Sequence, residues 1–185
     1  RPTIATTIYY ASVGVSRMTI LTAVDGERIP SDAVARGEEL ATAFDVDHVV
    51  LHVMPQDVFE KFRSAASGSS GRSVTTPASY GSAEGSAHRQ GSGEEYTVED
   101  GERHATGVAR DVVQGTLDDP EDTILKGRVG EPVEEILAEA DRRGAQYLVI
   151  GGRKRSPTGK ALFGSKTQSI LLTADLPVVT VMSED

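Results

Sequence analysis

The fold is decided by the stretch TILTAVDGERIPSDAVARGEELATAFDVDHVVLHV, residues 19–53. It opens on a short apolar, β-prone run at 19–24, which ends at Asp25 and predicts a buried strand. Residues 31–44 then carry apolar side chains at helical spacing, and 49–53 form a second continuous apolar run. The predicted helical stripe consists of Ala33, Gly37, Leu40, Ala41 and Phe44. Strands that are apolar throughout and separated by a helix are typical of a parallel sheet covered on both faces.

The rest of the chain repeats this alternation. The further predicted elements are a helix from about Tyr96 to Gly115, a strand at 123–125, a helix from Pro132 to Gly144, a strand at 147–150, a helix at 165–174 and a strand at 177–181. Right-handed crossovers make five such strands an open, doubly wound α/β sheet. Ligands of these sheets bind beyond the carboxyl ends of the strands. The loops after the first, second and fourth strands are therefore expected to form the site.

The chain is predicted to consist of one domain with an N-terminal extension and an internal insert. Residues 1–17 are an expected N-terminal extension, because their threonines and single flanking arginine argue against a signal peptide. The domain is expected to run over 18–185, with a flexible Ser/Gly-rich insert at about 64–95. We expect a cytoplasmic protein.

Composition excludes several classes of protein. The chain carries 28 Asp and Glu against 19 Lys and Arg, which argues against a nucleic-acid partner. It has no cysteine and no apolar run of about 18 residues, so disulfides, thiolate chemistry and a membrane partner are not expected. No metal-ligand spacing is found among His48, His52, His88 and His104. The acidic side chains of one helix are predicted to be solvated; these are Glu131, Glu134, Glu135 and Glu139.

One loop is positively charged, whereas the chain as a whole is acidic. Residues 151–166 contain five cations and no acid, and they end at a predicted helix N-terminus. Free backbone N–H groups and the helix dipole favour an anion there, and Gly151 and Gly164 allow close approach. Gly164, Ser165 and Lys166 are therefore candidates for a phosphate cradle.

Other interpretations of these residues remain open. Ser165 and Gln168 fit a capping box, in which side chains satisfy the helix end themselves. Asp25 before a glycine is typical of a simple turn. A Walker A loop is excluded, because it needs glycine where Lys154 stands and Ser or Thr where Ala161 stands. No dinucleotide-binding glycine fingerprint follows a strand.

Together, these features resemble the universal stress protein (UspA-type) family. The resemblance is carried by Ala23-Val24-Asp25-Gly26, Leu51-His52-Val53, Gly130-Glu131-Pro132 and residues 151–165. Nucleotide-binding members carry Gly-x2-Gly-x9-Gly-Ser/Thr, which Gly151, Gly164 and Ser165 match, whereas Lys154 replaces the second glycine. The resemblance implies a sheet of order 3-2-1-4-5 with helices on both faces, a three-layer sandwich.

The resemblance also implies a binding site for ATP or another adenine nucleotide. In it, Asp25 would contact the nucleoside, Ala23 and Val24 would line the pocket, and Val53 would meet adenine through its backbone. Ile150 and Gly151 would flank the ribose, and Gly164, Ser165 and Lys166 would bind the phosphates. A divalent ion, Mg²⁺ or Mn²⁺, would be held through the phosphates. Lys154, beside Arg153, either crowds the phosphates or replaces a backbone contact with a charged one.

The function implied is a dimeric stress-response or signalling module that binds ATP, ADP or AMP. The homodimer is expected to form through the last strand, 178–182, because its valines suit an edge that pairs with a partner. No catalytic residue and no side-chain metal site are predicted. Two alternatives stay open: a family member that acts only through protein contacts, which Lys154 favours, and a slow ATP hydrolase that depends on Asp25.

Overall fold

The computed structural model describes residues 18–27, 29, 31–67, 95–153 and 164–183. Five parallel strands form one sheet of order β3-β2-β1-β4-β5, which confirms the predicted fold. The elements are β1 (Thr19–Val24), α1 (Asp32–Phe44), β2 (Asp47–Pro55), α2 (Gln56–Ser67), α3 (Val98–Gln114), β3 (Ile124–Gly130), α4 (Pro132–Arg143), β4 (Ala145–Arg153), α5 (Ser165–Thr173) and β5 (Val178–Ser183).

Alternate residues of the central strands face opposite sides of the sheet and form two separate cores. Leu21, Leu51 and Leu148 point to the face that α4 and α5 cover, where Ile136 and Ile170 pack against them. The neighbouring residues on the same strands point to the opposite face, where α1 and α3 lie. The central strands are apolar throughout because both of their faces are buried.

The register places β1 at the centre of the sheet. Ala23 lies opposite Leu51 of β2 on one side and Ile150 of β4 on the other. From β1 the chain winds outwards to β2 and β3 on one side, and it returns to β4 and β5 on the other. The carboxyl ends of β1 and β4 therefore border the crevice where the winding reverses.

One helix was missed by the sequence analysis. Helix α2 begins directly after β2, and its Val58 and Phe59 are buried with Met54 and Ala105. Its apolar stripe is short and interrupted by charged residues, so periodicity alone did not reveal it. The helix ends at Ser67 and thus overlaps the start of the predicted insert. Residues 68–94 of that insert lie outside the described part of the chain, as does the predicted extension at 1–17.

The prediction of a solvated acidic face on α4 is wrong for Glu139. Its side chain is 2% exposed, and its carboxylate accepts hydrogen bonds from Arg128 of β3 and Arg143 of α4, at 2.8 Å and 2.6 Å. Arg142 adds an ion pair at 2.8 Å. Burial alone would raise the pKa of Glu139, but the bonds from Arg143 and Arg128 bring it below its usual value. The helical pattern shows the charge of this residue and not the three partners that allow its burial.

Within the described ranges, no helix combines the length and the apolar character needed to cross a membrane.

Candidate functional site

The ends of three strands meet at the crevice between β1 and β4. Ala23, Val53 and Ile150 share the face covered by α5, where they join a core cluster with Ile170. Ile150 and Val53 are buried, and Ala23 is half-buried at the edge of this cluster. These three predicted site residues therefore form one apolar floor beneath the strand ends.

A tight turn follows β1 at the mouth of this floor. The side chain of Asp25 is exposed, and its Oδ1 accepts a hydrogen bond from the backbone N–H of Glu27 at 3.0 Å. Gly26 has a φ of 77°, a conformation that glycine adopts without strain. The turn-forming role weighed for Asp25 is therefore confirmed. It also holds the carboxylate at the strand end, next to half-buried Val24.

His52 of β2 bonds to the last residue of β1. The ring is 4% exposed, and its Nδ1–H donates to the carbonyl oxygen of Val24 at 2.9 Å. Burial lowers the pKa of His52; the bond to Val24 and the charge of Asp25 oppose this, and the charge of Lys166 adds to it. The charges of two predicted site residues therefore act on the imidazole: Asp25, in the turn after β1, and Lys166, on α5. The sequence analysis names His52 within the Leu51-His52-Val53 stretch that carries the family resemblance and among the histidines without metal-ligand spacing, but it assigns His52 no role in the site.

The N-terminus of α5 lies at the end of β4. Gly164 is the N-cap residue, in an extended conformation, and no side chain of the described residues caps the helix. Ser165 is the first helical residue, so the capping box with Gln168 is wrong. The Thr167 hydroxyl donates to the carbonyl of Gly151 at 3.4 Å, which joins the start of α5 to β4.

Two glycines leave open space beside this helix start. Among the described residues, a Cβ at Gly151 or Gly164 would have no other atom within 4 Å, whereas one at Gly152 would lie 2.5 Å from the sulfur of Met182. Ser165 and Lys166 are exposed beside this space. A phosphate fits these surroundings, because the first backbone N–H groups of a helix and a nearby ammonium all favour an anion.

The remaining predicted phosphate contacts are described only in part. Arg153 is the last residue of β4, and its side chain lies outside the described part of the chain, as does all of Lys154. The effect of lysine at the second glycine of the family motif thus stays a prediction. Among the described residues, no three His, Asp or Glu side chains are grouped to hold a metal.

Thr22, His48 and Glu38 form a polar cluster whose groups resemble those of a nucleophilic site, but the hydroxyl is buried. The hydroxyl of Thr22 donates to Nε2 of His48 at 2.9 Å, and Nδ1–H of the same ring donates to Glu38 at 2.8 Å. This order of groups is that of a hydroxyl nucleophile, a base and an orienting acid. However, Thr22 is 0% exposed, and a Cβ at Gly37 of α1 would lie 2.1 Å from its oxygen. The cluster therefore stabilises the packing of α1 on the sheet.

Comparisons with known proteins agree with this architecture. Residues 16–182 match the model of the universal stress protein family. A universal stress protein of Mycolicibacterium smegmatis (strain ATCC 700084 / mc(2)155) is 45% identical over 51 residues, which are 28% of this chain and 39% of that relative. The match thus spans well under two thirds of the relative's length.

Solved structures of two universal stress proteins are similar to this chain. A putative universal stress protein from Pseudomonas aeruginosa UCBPP-PA14 is similar with a TM-score of 0.50 and 15% identity, over 90% of this chain and 48% of that one. The universal stress protein from Archaeoglobus fulgidus in complex with dAMP has a TM-score of 0.42 and 20% identity, over 88% of this chain and 96% of that one.

Proposed function

The chain belongs to the universal stress protein family, and we propose that it is a module of this family that binds an adenine nucleotide at the crevice between β1 and β4. The nucleotide is ATP, ADP or AMP, and its occupancy sets the state in which the module signals stress. Mg²⁺ or Mn²⁺, when present, is held through the phosphates. A cytoplasmic location is part of this proposal, because a free pool of adenine nucleotides is available there.

The observation that carries the proposal is the start of α5, where no side chain of the described residues acts as a cap, beside Gly151 and Gly164, around which the described residues leave space. Within the described part of the chain, Gly151 and Gly164 leave room for a ligand, and Lys166 adds a positive charge beside the first N–H groups of the helix. The apolar floor of Ala23, Val53 and Ile150 adjoins this position and suits an adenine ring. A ligand with one flat apolar end and one anionic end matches both the apolar floor and the start of α5.

The proposal includes a homodimer formed through β5. This strand lies at one end of the sheet and pairs with β4. Val178, Val179 and Val181 are only half-buried, and the preceding helix exposes 77% of Leu172. Apolar side chains on an edge strand favour pairing with a second chain.

Calorimetric titration with ATP and with adenosine tests the nucleotide site. We expect both ligands to bind the unchanged protein, and Lys166→Met to weaken ATP about tenfold or more, because a charged hydrogen bond to phosphate is lost. The same change should leave the affinity for adenosine within about threefold, since adenosine carries no phosphate.

Lys61→Gln is the matched control. Lys61 is exposed on α2 and pairs with Asp57 of the same helix, so its removal should leave both affinities unchanged. Absence of heat at millimolar ATP would contradict the proposal and would favour action through protein contacts alone. An equal loss of affinity for ATP and for adenosine in Lys166→Met would mean that the phosphates do not bind beside Lys166.

A further inference from the structure

The first turn of α5 contacts β4 through the side chain of Thr167. This residue is half-buried, whereas Ser165, Lys166 and Gln168 around it are exposed. The Thr167 hydroxyl donates to the carbonyl oxygen of Gly151 on β4, at 3.4 Å. The bond therefore joins two parts of the proposed site that lie on different elements.

Three other threonines bond within their own helical segments. Thr106, Thr116 and Thr173 each donate to the carbonyl four residues earlier, at distances of 2.7, 2.6 and 2.8 Å. A helical threonine commonly makes such a bond, because that carbonyl is close to its hydroxyl. The bond of Thr167 spans 16 positions of the chain and reaches another element. It therefore fixes how the start of α5 lies against the sheet.

Gly151 is the first residue of β4 beyond its pairing with β1. That pairing ends at Ile150, which lies opposite Ala23, whereas the pairing with β5 continues with Gly151 opposite Val181. The carbonyl to which Thr167 donates therefore lies at the edge of the crevice, where the ribose is proposed to bind.

A second contact holds α5 one turn further along the helix. Ile170 is 3% exposed and packs in the core cluster that includes Ile150. Residues three positions apart in a helix are neighbours on its surface, so Thr167 and Ile170 hold the same side of α5 against the sheet. Ile170 anchors the middle of the helix, and Thr167 fixes the first turn, whose N–H groups have no partner within the helix.

We propose that Thr167 is a positioning residue for the phosphates of the nucleotide: its bond to Gly151 fixes the first turn of α5 at a set distance from the ribose. The inference rests on the proposed nucleotide site. Donors that are already in place bind a ligand more tightly than donors that must first be ordered. Adenine and ribose contact the strand ends, so their binding does not depend on this bond.

Calorimetric titration of the full chain with ATP and with adenosine tests this role. Thr167→Val keeps the branched shape and removes the donor, so we expect about three- to tenfold weaker ATP binding and adenosine binding within about twofold of the unchanged protein. Thr167→Ala, which suits a helix, removes the same donor and should show the same selective loss. Thr167→Ser keeps the hydroxyl and should bind both ligands within about twofold of the unchanged protein.

Thr173→Val is the matched control on the same helix. Thr173 is exposed, and its hydroxyl donates to the carbonyl of Ser169 within α5. Its replacement should leave the affinity for both ligands unchanged. A merely structural role of Thr167 would lower the unfolding midpoint in urea and leave the ratio of ATP affinity to adenosine affinity unaltered, which would contradict the positioning role.

The possible results separate this inference from the function on which it rests. If the unchanged protein binds ATP and the variants without the hydroxyl bind it equally well, Thr167 does not position the phosphates and the nucleotide site stands. A loss of about tenfold in Thr167→Ser would also overturn the role, since that variant keeps the donor. Absence of ATP binding to the unchanged protein would overturn both.

Discussion

At the scale of single residues, Glu139 shows how a charge becomes part of the core. Removing a carboxylate from water is costly unless partners compensate for the lost hydration. Arg128, Arg142 and Arg143 supply those partners. Arg128 also pairs with Glu102 of α3 at 3.0 Å, so one guanidinium joins helices on opposite faces of the sheet. The network makes the burial of Glu139 tolerable.

Glu139→Gln should lower the free energy of unfolding by about 3 kcal/mol, as measured by urea denaturation near pH 7. The amide cannot satisfy three guanidinium groups, two of which are only about a quarter exposed. Glu134→Gln, at an exposed position of the same helix, should stay within about 0.5 kcal/mol. If Glu139→Gln lowers the free energy of unfolding by less than about 1 kcal/mol, water must satisfy the guanidinium groups in place of the carboxylate, and the prediction is wrong.

At the scale of elements, α3 packs against β3 through a position without a side chain. A Cβ at Gly127 would lie 2.1 Å from the carbonyl oxygen of Glu102 and 2.5 Å from the backbone nitrogen of Thr106. Both contacts are with helix backbone, which cannot rotate away as a side chain can. Gly127 therefore sets how closely α3 approaches the sheet.

Gly127→Ala should lower the free energy of unfolding by about 1–3 kcal/mol, because α3 must move away from β3. Gly151→Ala is the matched control on β4, where the added Cβ meets no atom of the described residues within 4 Å, and its stability should change by less than about 0.5 kcal/mol. Urea denaturation of both variants checks this. Equal stability of the two variants would show that α3 can shift freely.

At the scale of the whole molecule, the two edges of the sheet differ. β3 forms one edge, where Arg128 reaches from the face of α4 around to Glu102 on α3. A charged side chain across an edge opposes pairing with another strand. β5 forms the other edge and carries valines. This difference favours one partner chain at β5 over open-ended assembly.

Light scattering at tens of micromolar should therefore give about twice the chain mass of 19.6 kDa. Val181→Lys, on β5, should give the monomer mass, because the added charge is desolvated in the interface. Val98→Lys is the control, since Val98 is exposed on α3 away from this edge. A monomeric unchanged protein would contradict the dimer, and a dimeric Val181→Lys would move the interface to another surface.

The sequence by itself determined the alternation of strands and helices, the class of sheet and the place to search for a ligand. Each of these follows from local hydrophobic periodicity and from turn residues, which act within a few neighbouring positions. The cationic loop before Ser165 could likewise be recognised from the sequence, because its charges lie close together in the chain. The order of the strands came from the resemblance to a family, because periodicity does not state which strands are neighbours.

Only the tertiary structure decided which polar residues are buried and what they meet. His52 bonds to Val24 across 28 positions of the chain, and Arg128 meets Glu102 across 26. Such partners are brought together by the packing of distant elements, which leaves no local pattern in the sequence. The same holds for the cap at Gly164, which depends on how α5 departs from β4. Local patterns therefore specified the elements and the loops of the candidate site, and contacts between distant residues specified how its side chains are held.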